Sequence, residues 1–155
     1  MSNVLIGIIG VILFIGLALA GALILGDDFK SSSRDAKATA LIAQMQQVSQ
    51  AVEMYRLKTG TDFPSYAQIN TDARMVPRFL KTPYVEPEGK GWPVVYDFAQ
   101  GRYVILGALN GDMCKAVQMH VTGSDVYQTS DNPPAGRSNG CFQLTNGNIV
   151  VFVKI

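Results

Sequence analysis

Histidine occurs once in the 155 residues, at His120, and tryptophan once, at Trp92. Cysteine occurs twice, at Cys114 and Cys141, and no CxxC spacing is present. A structural zinc site takes about four such ligands, so this set falls short. The chain has no P-loop and no GxGxxG run, the glycine-rich patterns that cradle phosphates at a helix start. His120 stands beside Met119 and Val121, a setting that favours a structural or surface role over catalysis. Asp125 and Asp131 share a polar loop but lack the dense oxygen-ligand spacing of an EF-hand. Trp92, between Gly91 and Pro93, reads as core or turn packing. The expectation is a non-enzyme with no cofactor and no metal.

Excess charge is also lacking. The net charge is +1 and the basic residues are scattered, so nothing signals specific nucleic-acid binding. Without the first 25 or so residues, about 130 remain, enough for one globular domain with a core. The two cysteines form a disulfide if that domain lies outside the cytoplasm; two buried thiols are the alternative.

The longest absence is of charge itself, from Val4 to Leu25, in "VLIGIIGVILFIGLALAGALIL". As a helix this run would reach about 33 Å, close to the hydrocarbon thickness of a bilayer. A signal peptide has a shorter apolar part and a basic start. The run is expected to span a membrane. Gly7, Gly10, Gly16 and Gly21 recur within it, and Gly16 and Ala20 stand four apart. Small residues at that spacing let helices approach closely in an apolar medium. The rival reading is that glycine is simply common in membrane spans. Lys30, Arg34 and Lys37 lie on the C-terminal side, which by the positive-inside rule places the rest of the chain in the cytoplasm. That conflicts with a disulfide unless a basic leader has been removed.

Beyond Gly26 the pattern changes. Ala38, Leu41, Ile42, Met45, Val48, Val52 and Tyr55 follow at helical steps and predict one apolar face. Gln44, Gln46, Gln47, Gln50 and Glu53 fall elsewhere around the helix. Arg56 and Lys58 suit its last turn, and Gly60 is a natural stop. Joined, the two parts form one helix of about 80 Å.

The rest predicts an α+β fold: a long N-terminal α-helix, apolar in its first half and amphipathic in its second, packed on an antiparallel β-sheet head. Residues 1–26 are the hydrophobic membrane or filament-core helix, 27–60 the amphipathic continuation, and 61–155 the β-rich head with its closed region at 114–141. Residues 65–93 read as irregular, with Pro77, Pro83, Pro87 and Pro93 among them and room for a short helix near 66–81. "VVYDF" (94–98) and "RYVILGAL" (102–109) read as strands, and 111–123 as a short helix carrying Cys114. Asn146-Gly147 between two apolar runs signals a hairpin. A disulfide would tie the 111–123 segment to that hairpin and pin the polar loop 124–140, otherwise exposed and variable.

This order of parts resembles the type IV pilin and pseudopilin superfamily. The resemblance rests on the uncharged N-terminal run, the helix "ATALIAQMQQVSQAVEMYRLKTGTDFP", the sheet behind it and the late cysteine pair. It implies a structural subunit of an extracellular pilus-like filament, a homopolymer assembled by bundling of N-terminal helices. Gly7, Gly10, Gly16, Ala20 and Gly21 would pack in the filament core. Leu41, Ile42, Met45, Val48, Val52 and Tyr55 would form the seam with the head. Cys114 and Cys141 would close the disulfide region. The resemblance further implies an inner-membrane pool before assembly, a pilus assembly machinery as partner, a methylated N-terminus and a fimbrial location on the cell surface. Cell adhesion, twitching, conjugation, DNA uptake and secretion all use such subunits. The sequence departs from the family in two respects: with Met1 as the mature end, Leu5 stands where members usually carry a glutamate, with no acid before Asp27, and no basic leader with a glycine at its cleavage site is seen. The two alternatives are a minor pilin or pseudopilin of a secretion or uptake machine, and a monomeric membrane-anchored binding module.

Overall fold

The computed structural model describes residues 2–85, 91–107 and 109–155, except the side chains at 2–6 and 22–28. Its elements are α1 (Ser2–Thr59), β1 (Val94–Phe98), β2 (Gly101–Gly107), α2 (Gly111–Thr122), β3 (Asn139–Gln143) and β4 (Ile149–Lys154). Two compact units divide the chain, Met1–Arg34 and Asp35–Ile155.

Helix α1 meets no proline before Pro64. At its end the Gly60 N–H donates to the Arg56 carbonyl at 2.9 Å, and the Thr59 hydroxyl donates to the Tyr55 carbonyl at 2.8 Å. In the first unit, the described stretch 7–20 is exposed all round, with Phe14 at 74% and Leu17 at 73%. The expected membrane span, Val4–Leu25, is described in full only over residues 7–21. Among the described residues no helix is long and apolar enough to cross a membrane. The side chains at 4–6 and 22–25, and with them Leu5, lie outside the described set, as do those of Gly26 and Asp27.

In the second unit the fold is α+β, with the N-terminal helix packed on a four-stranded antiparallel sheet of order β1-β2-β4-β3. Leu41, Met45, Val48 and Val52 share one core with Val95, Val104, Leu106, Val151 and Val153 of the sheet. Each large apolar side chain removed from water there contributes about 1.5–3 kcal/mol. The opposite face of the sheet carries a second core of Tyr103, Phe142, Val150 and Phe152, with Phe152 set edge-on to Tyr103 (5.8 Å) and to Phe142 (5.6 Å). Strand β4 feeds both cores alternately, which is why its sequence "IVVFV" is apolar without a break.

Helix α2 is capped at both ends. The Asn110 side chain accepts the Met113 N–H at 2.7 Å, and the Gly123 N–H donates to the Met119 carbonyl at 2.9 Å. Its apolar face joins the first core through Met113, Cys114, Ala116 and Val117. The β3–β4 connection turns at Asn146-Gly147. There Gly147 takes φ 89°, its N–H donates to the Leu144 carbonyl, and the Asn148 N–H donates to Asn146 Oδ1.

The segment 66–81, read as irregular with room for a short helix, is a succession of turns, and no helix forms there. Single turns close from Val76 N–H to the Asp72 carbonyl and from Phe79 N–H to the Met75 carbonyl. Pro77, which has no N–H to donate, stands between them and stops propagation. Tertiary bonds hold this segment: the Tyr66 N–H donates to the Val95 carbonyl, and the Ile69 N–H to the Pro93 carbonyl. Buried Asn70 donates to the Tyr84 carbonyl at 2.7 Å and accepts the Tyr84 N–H at 2.9 Å.

Candidate functional site

Four groups of residues are candidates for function. The first is the set of small residues in the apolar stretch of α1. Around Gly7, Gly10, Gly16 and Gly21, a methyl group added to the backbone would meet no atom within 4 Å, discounting the helix's own nearby backbone. No packing within the chain calls for glycine there. Each glycine nonetheless costs an exposed helix about 1 kcal/mol relative to alanine. Ala20 is exposed and Gly21 half-buried on the same helix.

The second is the seam. Leu41 (0%), Ile42 (8%), Met45 (0%), Val48 (1%), Val52 (3%) and Tyr55 (8%) are all buried in the unit Asp35–Ile155. Tyr55 sits edge-on to Phe63 at 5.5 Å and to Phe79 at 5.6 Å, which fixes the chain's exit from the helix.

The third is the region closed by the Cys114–Cys141 disulfide, whose Cα atoms lie 5.5 Å apart. It joins α2 to β3, and both cysteines are fully buried. The loop 124–138 keeps most side chains exposed, yet its backbone is bound to the outer edge of β3. The Gln143 N–H donates to the Gln128 carbonyl at 2.9 Å, and the Ser130 N–H to the Gln143 carbonyl at 2.8 Å. Asp131 accepts from both the N–H and the hydroxyl of Thr145. That bond anchors the loop to the β3–β4 turn.

Sequence reasoning missed Gln118, which completes this edge. It is only 2% exposed. Its Oε1 accepts the Cys141 N–H at 3.3 Å, and its Nε2 donates to the Val126 carbonyl at 3.4 Å. A side chain at Gly140 would collide, since an added Cβ lies 2.9 Å from Gln118 Oε1. The signal was present: Cys114, Val117 and Val121 define the apolar face of α2, and a glutamine at 118 falls on it.

The fourth is a cleft of about 470 Å³ beside the end of α1. Val52 and Phe63 form its apolar floor, and Leu57, 85% exposed, stands at its mouth. Glu53 and Arg56 line it from the helix and Arg102 from β2. Asp62 bridges Arg56 at 3.2 Å and Arg102 at 3.5 Å, and Arg102 reaches Asp97 at 2.7 Å. Asp97 also accepts from the Ser65 hydroxyl. The Arg102 guanidinium, helped by that hydroxyl, holds the Asp97 carboxyl below its ordinary range.

Among the described residues no three of the side chains His, Cys, Asp and Glu gather as a metal site would require. His120 and Asp125 are exposed, and Asp131 is taken up by Thr145. Trp92, expected in core or turn packing, is 54% exposed just ahead of β1. No protein-family model matches this chain, and neither does any curated protein or solved structure.

Proposed function

We propose that this chain is a structural, pilin-like subunit whose N-terminal helices bundle into the core of an extracellular filament. One observation carries the reading. Residues 7–20 of α1 are apolar and exposed, and among the described residues nothing packs against their glycines. A helix with apolar side chains all round needs lipid or other helices about it. Glycine at Gly7, Gly10, Gly16 and Gly21, with Ala20, provides the close approach that helix partners use and that lipid does not require. On this reading the subunit waits in the inner membrane, and its neighbours replace the lipid when the assembly machinery moves it into the filament on the cell surface. The head, closed by its disulfide, forms the outer surface. This function involves no enzymatic step.

The test is electron microscopy of the sheared surface fraction from cells with and without the gene. Thin filaments containing this chain should vanish in the deletion. Gly16→Leu should lower filament yield while the level of membrane-held subunit stays unchanged. Normal filaments from that variant would remove the packing role, and filaments that persist in the deletion would remove the major-subunit reading.

A further inference from the structure

Two features of the described residues stand outside the reading above: the cleft at the end of α1 and the exposed side chain of Phe29. Phe29 stands in the polar stretch "DDFKSSSRD" and is 76% exposed, far from the exposure usual for a large aromatic. Lys30, beside it, is exposed as well. The cleft offers what this pair lacks. Leu57, open to solvent, and half-buried Ile155 are its accessible apolar side chains, set over the buried Val52 and Phe63, and Glu53 supplies a carboxylate. Its volume of about 470 Å³ accommodates an aromatic ring with room to spare. The cations of the cleft, Arg56 and Arg102, share Asp62, and Glu53 is a further carboxylate on its lining for an incoming lysine to pair with.

We infer that this cleft receives Phe29 of a second copy of the chain, with Lys30 of that copy paired to Glu53. The inference rests on the filament reading above and gives it a defined head contact. Donor and acceptor are different patches of the same molecule. Each copy therefore inserts Phe29 into one neighbour and receives Phe29 from another, the heterologous kind of contact that extends into open assemblies. The contact also solves a problem of register. A stretch rich in Ile, Leu and Gly packs nearly as well after a slip of one turn, so helix bundling alone defines the axial position of a neighbour poorly. An aromatic side chain in a shaped cleft with one charge pair fixes it.

The experiment uses the full chain in the assembling cell. Two differently tagged copies are co-expressed, one carrying Phe29→Cys and the other Leu57→Cys, and the sheared filaments are run without reductant. A disulfide-linked heterodimer is the expected product. The control pairs Phe29→Cys with Met119→Cys on α2, and it should cross-link at the background level. In parallel, Lys30→Glu and Glu53→Lys should each weaken the contact by about 2–5-fold, as loss of a partly exposed ion pair does. The double reversal should restore filament yield. Filaments that form normally while Leu57→Cys cross-links no better than Met119→Cys overturn the docking and leave the filament reading intact. An absence of filaments from the unaltered chain overturns both.

Discussion

Replacing Gln118 by methionine keeps the volume of a buried side chain and deletes its two polar ends. The Cys141 N–H, on a strand position that is fully buried, then loses its acceptor. Leaving such a donor unmet costs about 1–3 kcal/mol. The second loss is smaller. The Val126 carbonyl belongs to an exposed loop residue, 71% open to solvent, and water can replace the Gln118 amide there. The total expected is about 2 kcal/mol of unfolding free energy. For a domain of this size, with a urea slope of about 2 kcal/mol per molar, that moves the midpoint down by about 1 M. Urea unfolding of the purified chain in detergent, followed by far-UV circular dichroism, reads this directly. Gln118→Glu adds a second handle. Its carboxylate still accepts from Cys141, but burial raises its pKa above the unfolded value. Stability then falls as pH rises past about 4, and acid restores it. A Gln118→Met variant with the wild-type midpoint would mean that Cys141 finds another acceptor, and the latch argument would fail.

Two further perturbations test the head. Serine at both Cys114 and Cys141 should lower stability by about 3–4 kcal/mol, the loop-closure value for a bridge of this span, read as the same urea midpoint. Asp97 is held ionised by Arg102 and Ser65, so its contribution is complete above about pH 4 and is lost as pH falls through its depressed folded value. Asp97→Asn should therefore flatten the acid limb of the thermal midpoint between about pH 4 and pH 2, and an unchanged limb would deny the ion pair a role.

What could be read from the sequence was local. The Asn146-Gly147 turn declares itself because a two-residue loop of that kind demands positive φ, and the runs on either side of it are apolar. The short helix read at 111–123 forms as α2 over Gly111–Thr122. The seam from Leu41 to Tyr55 follows from period alone. What could not be read was non-local. Nothing in "DFPSYAQINTDARMVPRFLKTPY" announces that Asn70 will imitate a peptide group and stitch itself to Tyr84. The short helix for which 66–81 had room gives way to turns because the bonds from Tyr66 and Ile69 run to Val95 and Pro93, far along the chain. The loop 124–138 looks unstructured by composition because its partners, Gln143, Thr145 and Gln118, are supplied by other elements. The candidate site divides the same way. The small residues could be found by spacing and the cysteine pair was expected from compartment and from the family resemblance, whereas the cleft needs α1, Phe63 and β2 brought together before it exists.

The strand order β1-β2-β4-β3 has a consequence in time. Strands β2 and β3 never touch within the sheet; each is paired only to β4 on its inner side. Yet β4 is the last of the described strands to be made. Until it emerges, the β1–β2 hairpin and the α2–β3 segment are separate pieces with unpaired edges, and the second core, centred on Phe152, has no middle. The head therefore closes in one late step that joins distant parts of the chain, which places it among slower-folding topologies. During that interval the cysteines at 114 and 141 are not yet shielded by the finished core. A bond between them forms most readily while that core is still open.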